Sequence, residues 1–193
     1  MKKIVFATNN KHKLFEIRSI LRNDFEVLSL SDIGYDKDIP ETGNTLAKNA
    51  SQKSHTIYNK FNIDCFSDDT GLDIDALDGE PGVYSARYAG ENASYNDNVN
   101  KVLLKLNGIK NRKAAFRTVV SLILDGKEYQ FEGSVSGKIT LKKRGGGGFG
   151  YDPIFQPNGF DSTFAEMPLD IKNKISHRGK AMEKLVLFLN GQR

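Results

Sequence analysis

A β-hairpin spanning residues 116–135 constrains the fold more than any other feature of this sequence. Residues 116–124 are strongly apolar and Asp125-Gly126 is a two-residue turn signal. The return strand alternates, with Tyr129, Phe131 and Val135 on one face and Glu128, Gln130 and Glu132 on the other. Upstream, strands and helices take turns. Residues 2–7 read as a buried strand, and after a polar turn Leu14, Ile17 and Leu21 mark a helix. Residues 25–30 suggest a second strand, 45–61 a helix, and 63–67 a short strand running into an acidic turn at Asp68-Asp69-Thr70-Gly71. Val99, Val102, Leu103 and Leu106 keep helical spacing until Gly108 stops it, and Met182, Leu185, Val186 and Leu189 mark a last helix. Early alternation followed by a late hairpin predicts an α/β protein with a mixed sheet.

No repeat, low-complexity tract or Pro/Ser-rich linker divides the 193 residues, so 1–193 reads as one domain. No run approaches the roughly 18 to 20 apolar residues that span a bilayer. The first apolar stretch, 4–7, is too short for a signal peptide and no small-residue cleavage site follows it. A single cysteine, Cys65, excludes an internal disulfide framework and a cysteine-based zinc cluster. The expectation is a soluble, cytoplasmic protein without membrane partners. Basic residues number 28 against 24 acidic, for a net charge of +4. That balance suits either a solvated mixed surface or attraction to nucleic acid or nucleotide phosphates, and charge alone does not choose.

Three segments carry chemistry. The turn Thr8-Asn9-Asn10-Lys11-His12-Lys13 joins strand to helix, where backbone N–H groups, the helix dipole and Lys13 favour an anion. It is neither a Walker A loop nor a GxGxxG turn, and the alternative is a polar turn capped by Asn10. The second segment is Asp68-Asp69-Thr70-Gly71, with Asp73 and Asp75 behind it. Neighbouring strand residues point apart, so a turn at Gly71 is needed to gather these carboxylates, whose mutual repulsion a cation would relieve. An acidic turn without a metal is the alternative. Glu41 offers one more hard oxygen ligand. Asp69-Thr70-Gly71 also spells the aspartic-protease triplet, but the second copy which that chemistry needs is absent. Third, Gly145 to Gly148 lead into Phe149-Gly150-Tyr151-Asp152, which combines stacking surface, a carboxylate and backbone amides suited to a purine. Lys172 and Ser176-His177-Arg178 add donors near a helix start.

Together these strings resemble the inosine-triphosphate pyrophosphatase family. The matching text is Thr8-Asn9-Asn10 with Lys13, Glu41-Thr42-Gly43 with Thr45, Asn49-Ala50 with Lys53, and Asp68-Asp69-Thr70-Gly71-Leu72. Further on it includes Pro81-Gly82 leading to Ser85-Ala86-Arg87-Tyr88, then Phe149 through Phe155, then Ser176-His177-Arg178-Gly179. Each string is weak alone, but their shared order over nearly the whole chain is specific.

The resemblance implies a two-lobed α/β fold around a long mixed sheet, with nucleotide bound in a cleft between lobes. It implies a homodimer, Mg²⁺ dependence, and hydrolysis of ITP, dITP or XTP to monophosphate and pyrophosphate, cleansing the nucleotide pool. Asp69 would be general base and metal ligand, with Glu41 and Asp68 completing the metal site. Residues 8–13 and Thr70 would hold the substrate, chiefly its phosphates, and Lys13 and Lys53 would stabilise charge on the leaving group. Phe149, Gly150, Tyr151, Asp152, Lys172, His177 and Arg178 would form the base pocket. Thr70 stands where the family commonly has serine, and Lys48 stands where a glutamate is usual. The rival readings are a pyrophosphatase for modified pyrimidine nucleotides and a nucleic-acid-binding protein suggested by Lys142-Lys143-Arg144; no nucleic acid is expected.

Overall fold

The computed structural model describes residues 2–22 and 24–191. Its strands are β1 (Lys2–Phe6), β2 (Phe25–Leu28), β3 (Cys65–Ile74), β4 (Pro81–Gly82), β5 (Lys113–Leu124), β6 (Lys127–Ile139) and β7 (Phe155–Pro157). The helices are α1 (Lys11–Leu21), α2 (Leu46–Phe61), α3 (Tyr95–Lys105), α4 (Leu169–Ile175) and α5 (His177–Gly191). The strands form a mixed sheet in the order β2-β1-β3-β5-β6-β7, with β4 paired to β3. β1 runs parallel to β2 and β3, whereas the β3–β4 and β6–β7 pairs are antiparallel. The α/β class read from the sequence is the observed one.

The chain divides into two compact units, Met1–Asp69, Thr118–Gly133 and Arg178–Arg193 forming the first, Thr70–Arg117 and Ser134–His177 the second. In the first unit β1 is covered on both faces, which its period of two makes visible. Ile4 and Phe6 join Ile17 and Leu21 of α1 and Met182 and Leu185 of α5, while Val5 faces Ile57 of α2 with Leu30 and Tyr35. Phe6 and Phe66, opposite each other in the parallel register, stack with centroids 4.7 Å apart. Cys65 is buried, and burial pushes its thiol up to about 12. The second unit builds its core from Leu72 and Ile74 of β3, Val99 and Val102 of α3, and Phe116, Phe155 and Phe164. The Phe116 and Phe155 rings meet edge-on at 4.7 Å.

The hairpin turn has the backbone its residues require: Asp125 and Gly126 take φ of 49° and 76°, both positive, as a type I′ turn demands. Thr45, the first residue of the predicted helix, is the N-cap of α2 and lies outside it, its hydroxyl accepting the Lys48 N–H at 3.2 Å. β2 stops at Leu28, two residues short of the prediction. The main departure is β3. The sequence predicts a strand ending at Ser67 and a turn through Asp68–Gly71, yet the strand runs on to Ile74. Each aspartate has buried partners that tolerate its charge, so nothing forces the chain out of extension. Gly71 continues the strand, and Leu72 and Asp73 pair with Gly82 and Pro81 of β4. Among the described residues no helix is long and apolar enough to cross a membrane.

Candidate active site

Strand β1 delivers the chain into α1 through the turn at Thr8. Thr8 Oγ1 accepts the Asn10 N–H at 3.2 Å, and Asn10 Oδ1 accepts those of His12 at 3.0 Å and Lys13 at 3.1 Å. Asn10 therefore caps α1, as the alternative reading of this turn proposed. Asn9 is exposed and donates to Lys37 O at 3.1 Å and Asp38 Oδ1 at 2.8 Å. Lys11 and His12 are exposed on the first turn, whereas Lys13 points along the strand ends to Asp68.

Asp68 and Asp69 occupy consecutive positions of β3, so their side chains leave on opposite faces and find separate partners. Asp68 Oδ1 accepts Lys13 Nζ at 2.8 Å, and Asp68 Oδ2 accepts Arg178 Nε at 3.0 Å. Arg178 Nη1 donates in turn to Glu16 Oε2 at 2.6 Å. Lys13, Asp68, Arg178 and Glu16 thus alternate in charge along a network buried in the first unit. Burial alone would push the Asp68 carboxyl up, but the Lys13 ammonium and Arg178 guanidinium outweigh it and hold it well below the usual carboxylate range. Burial drives Lys13 the other way, below its ordinary value, helped by repulsion from Lys53 and Arg178. Glu16 escaped the sequence reading because a charged residue beside an apolar helical stripe carries no local sign of burial.

Asp69 faces α2. Asn49 and Lys53 stand four residues apart on one face of that helix, and both reach it. Asn49 Nδ2 donates to Asp69 Oδ2 at 3.0 Å, and Lys53 Nζ lies 3.6 Å from Asp69 Oδ1. Lys53 also donates to Glu41 Oε1, and Asn49 Oδ1 accepts the Gly43 N–H at 2.7 Å. Burial pushes the Asp69 carboxyl up, and Lys53, Lys13 and the Asn49 amide offset this only in part. For Glu41 burial pushes upward too, but Lys53 prevails and its carboxyl falls below the ordinary value. Lys53, opposed by burial, is raised by Asp69 and Glu41.

A divalent cation can be tested against these donors. Mg²⁺ is commonly held by one or two carboxylates together with substrate phosphates rather than by a full protein cage. Glu41 and Asp69, joined by one lysine, fit that pattern. Asp68 already carries two cations, Lys13 on one oxygen and Arg178 on the other, so a further positive charge meets more repulsion there than beside Glu41 and Asp69, which share one lysine. No cluster of three or more acidic, His or Cys ligands occurs among the described residues.

The second unit holds the remaining predicted residues. Asp152 Oδ2 accepts Lys172 Nζ at 2.6 Å and the Phe149 N–H at 2.8 Å, which sets the Lys172 ammonium 5.3 Å from the Phe149 ring centroid. Gly148 makes this possible: its φ is +68°, and a Cβ there would lie 2.0 Å from Asp152 Oδ2. Gly150 also takes a positive φ, 61°. Tyr151 is a core residue whose hydroxyl donates to Ser85 O at 2.8 Å. His177 is buried and stacks on Phe116 at 4.6 Å, and Thr70 is half-buried on β3. His177 and Arg178, adjacent in sequence, thus belong to different units.

A family model described as the Ham1 family matches residues 4–188. A dITP/XTP pyrophosphatase of Flavobacterium johnsoniae is 55% identical over 187 residues, covering 97% of each chain. One of Porphyromonas gingivalis is 50% identical over 190 residues, covering 98% of each. Among solved structures, the Staphylococcus aureus Ham1 protein superposes with a TM-score of 0.89 at 42% identity, covering 100% of both chains. The nucleoside-triphosphatase / dITP/XTP pyrophosphatase from Mycobacterium abscessus gives 0.75 at 38% identity, covering 95% of this chain and 98% of that one.

Proposed function

The chain belongs to the Ham1 family, and we propose that it hydrolyses the deaminated purine nucleotides ITP, dITP and XTP to monophosphate and pyrophosphate. It is a hydrolase of the nucleoside-triphosphate pyrophosphatase class, the activity for which its full-length relatives are named. One observation carries the reading: Asp69 and Glu41 share the Lys53 ammonium, on the face of β3 opposite the pairing of Asp68 with Lys13. A buried carboxylate and a half-buried one beside two lysines can both activate a water and balance the charge of a triphosphate.

In the proposed step Asp69 orients a water and takes its proton as the oxygen attacks the α-phosphorus. The α–β anhydride bond breaks, and its electron pair leaves with pyrophosphate. Lys53 and Lys13 balance the negative charge that grows on the leaving group. Thr8, Asn9, Asn10, Lys11, His12 and Thr70 are assigned to the substrate, chiefly its phosphates, with N–H groups at the start of α1 as donors. Mg²⁺, with Glu41 and Asp69 as its protein ligands, would supply charge neutralisation and polarise the phosphoryl oxygens.

Base recognition is assigned to the second unit's Phe149, Gly150, Tyr151, Asp152, Lys172 and His177; Arg178, expected with them from the resemblance, is held by Asp68 and Glu16 in the first unit. Lys172, held over the Phe149 ring by Asp152, is the donor suited to a 6-oxo oxygen. Adenine has an amino group at that position and would leave the donor unpaired, at about 1 to 3 kcal/mol if buried. Both units belong to one catalytic domain in this reading, working as a cytoplasmic homodimer. The test is Mg²⁺-dependent pyrophosphate release from ITP, dITP, XTP, GTP, ATP, dTTP and UTP. Fast release from the first three alone is the expected result. Preference for the pyrimidines would move the substrate class, and orthophosphate as product would move the cut to the β–γ bond and overturn the step.

A further inference from the structure

We infer that Asn49 is a positioning residue for hydrolysis, fixing through one amide both the carboxylate of Asp69 and the segment that carries Glu41. The inference deepens the reading of Asp69 as base and rests on it. Asn49 is wholly buried on α2, one helical turn before Lys53. Its Oδ1 accepts the Gly43 N–H at 2.7 Å and its Nδ2 donates to Asp69 Oδ2 at 3.0 Å. Only this orientation of the amide satisfies both partners, because the Gly43 N–H needs an acceptor and the carboxylate needs a donor. Glu41 lies two residues before Gly43 and is bonded to Lys53. Asn49 and Lys53 therefore tie the same two groups at different points, the lysine by charge and the asparagine by direction.

Direction matters because a hydrogen bond to Oδ2 sets the roll of the Asp69 carboxylate, so that a water would always meet the same oxygen. Gly43 belongs to the same device. A Cβ at that position would lie 2.7 Å from both Asn49 Oδ1 and Lys48 Cβ, so any larger residue forces the 41–43 segment off the start of α2 and strains the amide that holds Asp69. No other side chain meets both demands in that space. Aspartate keeps the acceptor for Gly43 and sets a second carboxylate against Asp69. Alanine removes both bonds.

The test measures kcat and KM for ITP, with thermal midpoints, in Asn49→Ala, Asn49→Asp and Gly43→Ala. Removing partners that orient catalytic ligands lowers activity by about 10-fold to 100-fold, and that loss is expected in kcat with KM little changed. Asn49→Asp is expected to fall at least as far as Asn49→Ala, although its shape is native. If Asn49→Ala fails to fold, the isosteric Asn49→Asp and Gly43→Ala carry the same comparison. The deciding measurement repeats Asn49→Asp in an Asp69→Asn background by single-turnover kinetics. A residue that acts through Asp69 has little left to lose there, so a further drop under about twofold is expected. The same fold-drop in both backgrounds, or wild-type turnover by Asn49→Asp, overturns the positioning role. Wild-type turnover by Asp69→Asn alone would mark the failure of the base assignment itself, and the inference would fall with it.

Discussion

Asp69→Asn keeps the shape of the side chain at the end of the first unit's part of β3 and removes its charge, and with it the capacity to take a proton. Loss of a positioned base typically costs 10²-fold or more, so kcat is expected to fall by about that factor. The fold should survive, because Glu41 remains paired with the Lys53 ammonium. A steady-state assay beside a thermal melt checks both statements, and near-native turnover would remove Asp69 from the base role. Asp152 poses the converse case. Lys172 and Asp152 are both almost fully buried, and breaking such a pair by deleting one partner costs about 3 to 5 kcal/mol. Asp152→Ala is therefore expected to lower the thermal midpoint sharply and to raise KM for ITP, whereas a variant with native stability and KM would reduce the pair to ornament. Arg178 shows how far single residues were legible. The motif marks it as functional, but its place between Asp68 and Glu16 depends on contacts over 100 residues apart in sequence, which no local pattern encodes. Arg178→Ala would strand two buried carboxylates, so it reports on stability before base choice, and Lys172 is the cleaner probe of the 6-oxo group.

Elements follow the sequence wherever their periodicity is their own. The hairpin, α1, α3 and α5 were readable because apolar spacing and turn chemistry agree within each of them. β3 was not, because Asp68-Asp69-Thr70-Gly71 has turn composition and stays extended only through cations brought by α1, α2 and α5. α3 gives a local case that can be measured. Ser94 and Asp97 form a capping box, the serine hydroxyl accepting the Asp97 N–H at 3.2 Å and the carboxylate accepting the Ser94 N–H at 2.9 Å. Replacing an N-cap serine with alanine typically costs about 1 kcal/mol. The Ser94 hydroxyl and backbone N–H hold the Asp97 carboxyl below its ordinary value. A depressed folded pKa means that this half of the box stabilises above the unfolded value of about 3.9 and is lost as pH falls through the folded one. Ser94→Ala is therefore expected to melt lower than wild type at pH 7, with the gap narrowing below about pH 4. A gap independent of pH would separate Asp97 from the cap.

At the scale of the molecule, the two units have separate apolar cores but are not separate stretches of chain. β3 passes from one to the other after Asp69, β5 after Arg117, β6 after Gly133, and the chain changes unit once more at His177, where α5 begins. Three strands therefore cannot stay regular in one unit while the other loses its order, because the frayed end would expose backbone N–H and C=O groups along each strand. That connectivity argues for one cooperative transition, although the length would accommodate two domains. Of the residues proposed for substrate, only Thr70 lies on a strand that passes between the units, and the rest sit on turns and helices within one unit or the other. Leu185→Ala in the first core and Ile154→Ala in the second, each a fully buried side chain, are expected to cost about 2 to 5 kcal/mol. Both should shift one and the same urea transition, followed by circular dichroism and by tyrosine fluorescence in this tryptophan-free chain. The tyrosines divide between the units, with Tyr35, Tyr58 and Tyr129 in the first and Tyr84, Tyr88, Tyr95 and Tyr151 in the second. Coincident midpoints from both probes in both variants would establish the coupling. A biphasic curve in either variant would mean that shared strands do not suffice to make the two cores one folding unit.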